Sequence, residues 1–85
     1  MSRQQEWQPV LDSEMQRWSA KSSESLVAEL AEEQVYEVAF RGGKVQVEVK
    51  MLEDTETYLH VGISVDDGVL SAALRPLASS FIRRR

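Results

Sequence analysis

Apolar residues change their spacing once along this chain. Upstream of Val35 they recur every three to four positions, the period of a helix with one dry side. From Val35 onward they alternate with polar residues, the period of a strand with one face buried.

In the helical part, Met15 and Trp18 share a face, and Trp7 and Leu11 prolong the stripe upstream. Ser13-Glu14-Met15-Gln16 fits a capping box and predicts a short helix that starts there, since Pro9 limits anything upstream to a first helical turn. The polar run Ser19 to Ser25 predicts a break. Ser22 is placed to cap a second helix, whose Leu26, Val27, Leu30 and Ala31 form a narrow apolar stripe opposite Glu24, Glu29, Glu32 and Glu33. An acidic last turn opposes the helix dipole and predicts its end near Glu33.

In the strand part, turn residues set the register. A two-residue turn at Gly42-Gly43 sets Tyr36, Val38 and Phe40 opposite Val49, Val47 and Val45. A second at Asp67-Gly68 sets Val65, Ile63 and Val61 opposite Leu70, Ala72 and Leu74. A connection over Glu53 to Thr57 sets Val49 opposite Val61. All three turns agree on one buried face, which argues for a meander. Alanine content also suits residues 69–74 to a helix; the turn argument favours a strand. The expected fold is α+β: two short N-terminal helices packed on one face of a four-stranded antiparallel meander sheet. It forms a single domain over residues 1–85, with 1–8 and 83–85 disordered.

Charge is unevenly spread. Residues 24–67 hold eleven acids against Arg41, Lys44 and Lys50, a local charge of −8, whereas residues 68–85 hold four arginines and no acid. The net charge is −4. An acidic body makes nucleic acid an unlikely partner for the domain as a whole. The absence of cysteine excludes disulfides and thiolate metal sites. No apolar run approaches the roughly 20 residues of a membrane span, and Ser2 to Gln8 is polar, so the expectation is a cytoplasmic protein with no membrane association.

The face pointing away from the helices is where a surface for partners is expected. Ala39, Gly62, Ser64, Ser71 and Ala73 make it small and weakly polar, which implies that something lies close against it. The candidates are Leu77, Phe81 and Ile82 of the same chain, or a second chain. The fourth strand, Val69 to Leu74, carries no charge and forms an unguarded edge. The expected function is that of a non-catalytic interaction or accessory domain, acting as a homodimer or on another protein through Ala39, Gly62, Ser64, Val69, Ser71, Ala73 and Phe81.

Two other chemistries have weaker support. Arg83, Arg84 and Arg85 form a basic tail able to bind anions or nucleic acid. Glu37 and Glu48, opposed across strands near His60, form a conceivable acid-base cluster, though with no pocket or activated nucleophile evident. With a single histidine and no calcium-loop pattern, neither a metal nor a cofactor is expected.

Overall fold

A computed structural model describes residues 3–66 and 77–85. Its elements run α1 (Arg3–Ser19), α2 (Ser23–Glu29), β1 (Gln34–Phe40), β2 (Gly43–Asp54), β3 (Tyr58–Asp66) and β4 (Leu77–Arg84). The strands form one antiparallel sheet in the order β1-β2-β3-β4, so the architecture is α+β with its helices at the N-terminal end.

Helix α1 is longer than the spacing of Met15 and Trp18 predicts. It begins ten residues before Ser13 and carries Pro9 in its interior. Ser13 is therefore an exposed mid-helix residue, and the expected capping box does not form. The reason lies in the stripe Trp7, Val10, Leu11, Glu14 and Trp18, all buried at a spacing that keeps one face on the sheet throughout. Burial of two indoles and two aliphatic side chains outweighs the roughly 3 kcal/mol that an interior proline costs.

Helix α2 starts where expected. Ser22 is in an extended conformation (φ −70°, ψ 161°), and its hydroxyl accepts from the Ser25 amide at 3.2 Å. The helix stops at Glu29, short of Glu33, with Leu30 as its cap. Leu26 and Leu30 are buried, and Val27 packs against the core beside them.

The two faces of the sheet are as the alternation implies, but every register differs from its expected value. The β1–β2 turn is Arg41-Gly42, so Tyr36 faces Val47 and Val38 faces Val45, while Gly43 is the first residue of β2. Arg41 (φ 49°) and Gly42 (φ 78°) both have positive φ, as the turn type that matches strand twist requires. An arginine in that position is strained by about 1 kcal/mol. Arg41→Asn is therefore expected to stabilise the protein by about 0.5–1 kcal/mol in urea denaturation. An unchanged or lower midpoint would show that Arg41, whose guanidinium lies 5.1 Å from the Phe40 ring centroid, offsets the strain by that contact.

Between β2 and β3, Val49 faces Ile63 rather than Val61, and Met51 faces Val61. The register then shifts at Leu52, an extra residue that bulges β2 before Glu53 meets His60. The hairpin closes through Thr55, whose hydroxyl accepts from the Tyr58 amide at 3.0 Å and whose amide donates to the Tyr58 carbonyl at 2.9 Å.

The strand beside β3 is Leu77–Arg84, not 69–74: Val65, Ile63 and Val61 face Leu77, Ser79 and Phe81. Residues 69–74, expected as that strand, lie outside the described residues, as does the Asp67-Gly68 turn. Arg83 and Arg84 are ordered ladder residues rather than a loose tail. The core is the dry side of β2 and β3, with Val47, Val49, Leu59, Val61, Ile63 and Val65 at most 1% exposed, under the apolar stripes of the helices. Phe81, Leu77, Tyr36, Val38 and Phe40 flank it, partly buried.

Candidate functional site: the sheet face opposite the helices

Alternation assigns the face opposite the helices to Val35, Glu37 and Ala39 of β1, Gln46, Glu48 and Lys50 of β2, His60, Gly62, Ser64 and Asp66 of β3, and the even-numbered residues of β4. Cross-strand rows include Val35–Glu48–Ser64–Ala78 and Lys50–Gly62–Ser80. The three exposed large hydrophobic residues of the described chain, Val35 (52%), Leu52 (44%) and Ile82 (55%), lie on this side.

Leu52 reaches it through the bulge. A Cβ built on Gly62 would sit 2.9 Å from Leu52 Cδ1, so the glycine makes room for the leucine lying across it. Something does lie close against Gly62, as its presence in a strand implies, but the occupant is Leu52 rather than the C-terminal segment. Leu52, Gly62, Ala78 and Ser80 border a shallow groove of about 520 Å³, with Glu48 and Lys50 at its polar side.

Of the residues expected at a contact surface, Ala39, Gly62 and Ser64 are on this face, Ala39 at the β1 margin and the other two in β3. Phe81 is not: it faces Val61 and packs against the core from the helix side. Its odd position in β4 dictates this, because β4 pairs two residues per step with the dry positions of β3. Val69, Ser71 and Ala73 lie outside the described residues.

The expected acid-base cluster does not assemble. Glu37 faces Gln46 and Glu48 faces Val35, so the two carboxylates are not opposed, and His60 stands beside Glu53 instead of Glu48. What forms around His60 is a different chain of contacts. Its Nε2 lies 2.9 Å from Ser80 Oγ and its Nδ1 3.5 Å from Glu53 Oε1, while the Tyr58 hydroxyl donates to Glu53 Oε2 at 3.1 Å. A carboxylate, an imidazole and a hydroxyl in that order can in principle move a proton off the hydroxyl. Here the carboxylate is half exposed, shared with Tyr58 and at ion-pair range, so the chain acts as a tie across β2, β3 and β4. The hydrogen bond from the Tyr58 hydroxyl to Glu53, with the negative charge of that carboxylate, raises the phenol pKa. Ser80 escapes sequence reasoning because its strand is assigned elsewhere, and Leu77-Ala78-Ser79-Ser80-Phe81-Ile82 has no apolar-polar alternation to mark it.

The basic end of the chain is partly neutralised. The Arg85 guanidinium donates to Asp54 at 2.6 Å and its amide donates to the Thr57 carbonyl at 3.1 Å, while Arg83 and Arg84 sit in the ladder opposite Leu59 and Tyr58.

On the other side of the molecule, a cleft of about 620 Å³ opens where α1, α2 and β1 meet, and its charges satisfy one another. The Tyr36 hydroxyl donates to the buried Glu14 carboxylate and accepts from Trp18 Nε1 at 2.8 Å and from Arg17 at 2.6 Å. Arg17 also pairs with Glu14 at 2.9 Å, and Lys21 pairs with Glu29 at 3.1 Å. Glu14 occupies an otherwise apolar stripe because Tyr36 and Arg17 complete its hydrogen bonds there.

Among the described residues, no cluster of three histidine, cysteine or acidic side chains is placed to hold a metal, and no helix is long and apolar enough to cross a membrane. No protein-family model, no curated protein and no solved structure matches the chain, so the arrangement of its own side chains is what bears on its role.

Proposed function

We propose that this protein is a non-catalytic interaction module that presents the sheet face opposite the helices, and β4, to another polypeptide, either a second copy or a different protein. The observation that supports this is the segregation of Val35, Leu52 and Ile82 onto the side the helices leave open. A solvated sheet face ordinarily carries long polar side chains, whereas the middle of this one is Gly62, Ser64, Ala78 and Ser80 around a leucine. Small residues leave the backbone low enough for a partner to approach, and aliphatic ones at the margins supply surface to desolvate. The local charge of −8 over residues 24–67 favours a partner with some positive charge, and a protein over a nucleic acid. The same reading takes the protein as cytoplasmic and working without cofactor or metal.

The test is affinity capture from lysate of the source organism with wild-type bait and with Leu52→Asp/Ile82→Asp bait, both checked by circular dichroism. A protein retained by the wild type and lost by the double variant is the expected result. Identical captured sets from the two folded baits would sink the reading.

A further inference from the structure

We propose that the edge of β1 takes up an extended segment of a different protein, one that alternates aliphatic residues with lysine or arginine, as a further strand of the sheet. The site is at the opposite margin from β4 and stands apart from the interaction reading above.

The helix layer is set off-centre over the sheet. Helix α1 packs chiefly on β3 and β4, so Tyr36, Val38 and Phe40 on the helix side of β1 are only half-buried, whereas Val45, Val47 and Val49 of β2 are at most 5% exposed. Two clefts follow this margin and share Val38 and Glu14. One, of about 230 Å³, is bordered by Pro9, Val10 and Phe40; the other, of about 620 Å³, is bordered by Trp18, Ala28 and Tyr36. The Gln34 side-chain amide donates to the Glu29 carbonyl at 2.8 Å and fixes the start of β1 against the end of α2.

Backbone polarity points the same way. The two-residue turn makes Phe40 and Gly43 a hydrogen-bonded pair, so by alternation Phe40, Val38 and Tyr36 bond to β2. Val35, Glu37 and Ala39 therefore direct their N–H and C=O groups away from β2. Among the described residues β1 pairs only with β2, and none of these three has a backbone bond outside the sheet. An added strand bonds to this row and sends every second side chain to the helix side, at a repeat of about 6.8 Å along the two clefts.

Charge selects the occupant. Glu37 projects from the far face at mid-strand, Glu32 and Glu33 lead into β1, and none of the three has an ion-pair partner among the described residues. These carboxylates disfavour a second copy. Self-pairing centred on Glu37 opposes the two Glu37 side chains, and centring on Val35 opposes Glu37 and Glu33. Centring on Ala39 runs the pair into the Arg41-Gly42 turn. Nucleic acid is repelled by the same groups. A foreign strand with lysine or arginine opposite Glu37 instead pairs opposite charges on the far face. Its intervening aliphatic residues enter the clefts, where Arg17 and Lys21 already neutralise Glu14 and Glu29.

The probe is a capped hexapeptide alternating valine and lysine, added to the isotope-labelled protein and followed by amide exchange. Binding is expected to slow exchange at Val35, Glu37 and Ala39 and to leave Tyr36, Val38 and Phe40, already bonded to β2, unchanged. Glu37→Lys is expected to raise the dissociation constant about tenfold. Ala39→Pro removes one outward N–H without touching the β2 ladder, and is expected to abolish binding while circular dichroism stays the same. Leu52→Asp/Ile82→Asp, on the other surface, is expected to bind the hexapeptide as the wild type does, so this site and the interaction reading fail separately. No binding at millimolar peptide overturns the proposal. So does binding that lacks the alternate protection of Val35, Glu37 and Ala39, or that Glu37→Lys leaves unchanged.

Discussion

Leu26→Ala is expected to lower stability by about 2–5 kcal/mol, the range for truncating a fully enclosed leucine. The side chain is 0% exposed and is the one buried residue within α2, a helix of seven residues. A helix that short does not persist alone, so its order depends on this anchor and on Leu30 at its cap. Against a total of about 4–13 kcal/mol for a domain of this length, the loss takes a large share. The effect should be graded in space. Amide exchange in α2 is expected to rise towards the unprotected rate, while Val47, Val49, Ile63 and Val65 keep most of their protection until the whole chain unfolds. A uniform rise across helix and sheet would mean that α2 is not a separately opening unit.

Tyr36→Phe is expected to cost about 2–4 kcal/mol although it removes a single oxygen, because that oxygen has three partners. It donates to Glu14 and accepts from Trp18 and Arg17. Without it the Trp18 indole N–H, on a ring 3% exposed, has no acceptor, and Glu14 keeps only Arg17. Burial pushes the Tyr36 hydroxyl above its ordinary value near 10, and its hydrogen bond to Glu14 pushes in the same direction. The folded protein therefore holds this proton at pH values where the unfolded chain has lost it. Its contribution is complete below about pH 10 and falls as pH rises through the higher folded value. Urea midpoints of the wild type should decline from about pH 10 upward, and those of Tyr36→Phe should decline less over the same window. Equal slopes would show that the alkaline loss arises at other groups.

The dry face of the sheet was legible from the alternation of Tyr36, Val38, Val45, Val47, Val49, Val61, Ile63 and Val65, because period two assigns a side whatever the pairing offset. Offsets were not. Two glycines in a row conceal which of them turns, and the positive φ fell on Arg41 instead of Gly43. Leu52, which bulges between Met51 and Glu53, has no marker that separates it from an ordinary strand residue. The fourth strand was misplaced because 69–74 and 77–82 are both uncharged and six residues long, and local pattern does not rank them. Around the candidate site, the even residues of β3 were readable, but the proximity of His60 to Ser80 follows only from knowing which segment pairs with β3. Glu14, Arg17, Trp18 and Tyr36 belong to a helix and a strand about twenty positions apart, a distance over which periodicity carries no information.

Helix α1 packs chiefly on β3 and β4, the strands furthest from it along the chain. During vectorial synthesis this segment leaves the ribosome before the strands it docks on. The hairpins, built from neighbours in sequence, can zip early, whereas the apolar stripe of α1 is not fully covered until β4 is delivered. The interval before that closure is when the nascent chain is most open to holdases, and lengthening it by slow codons downstream of Asp66 would raise the demand for them.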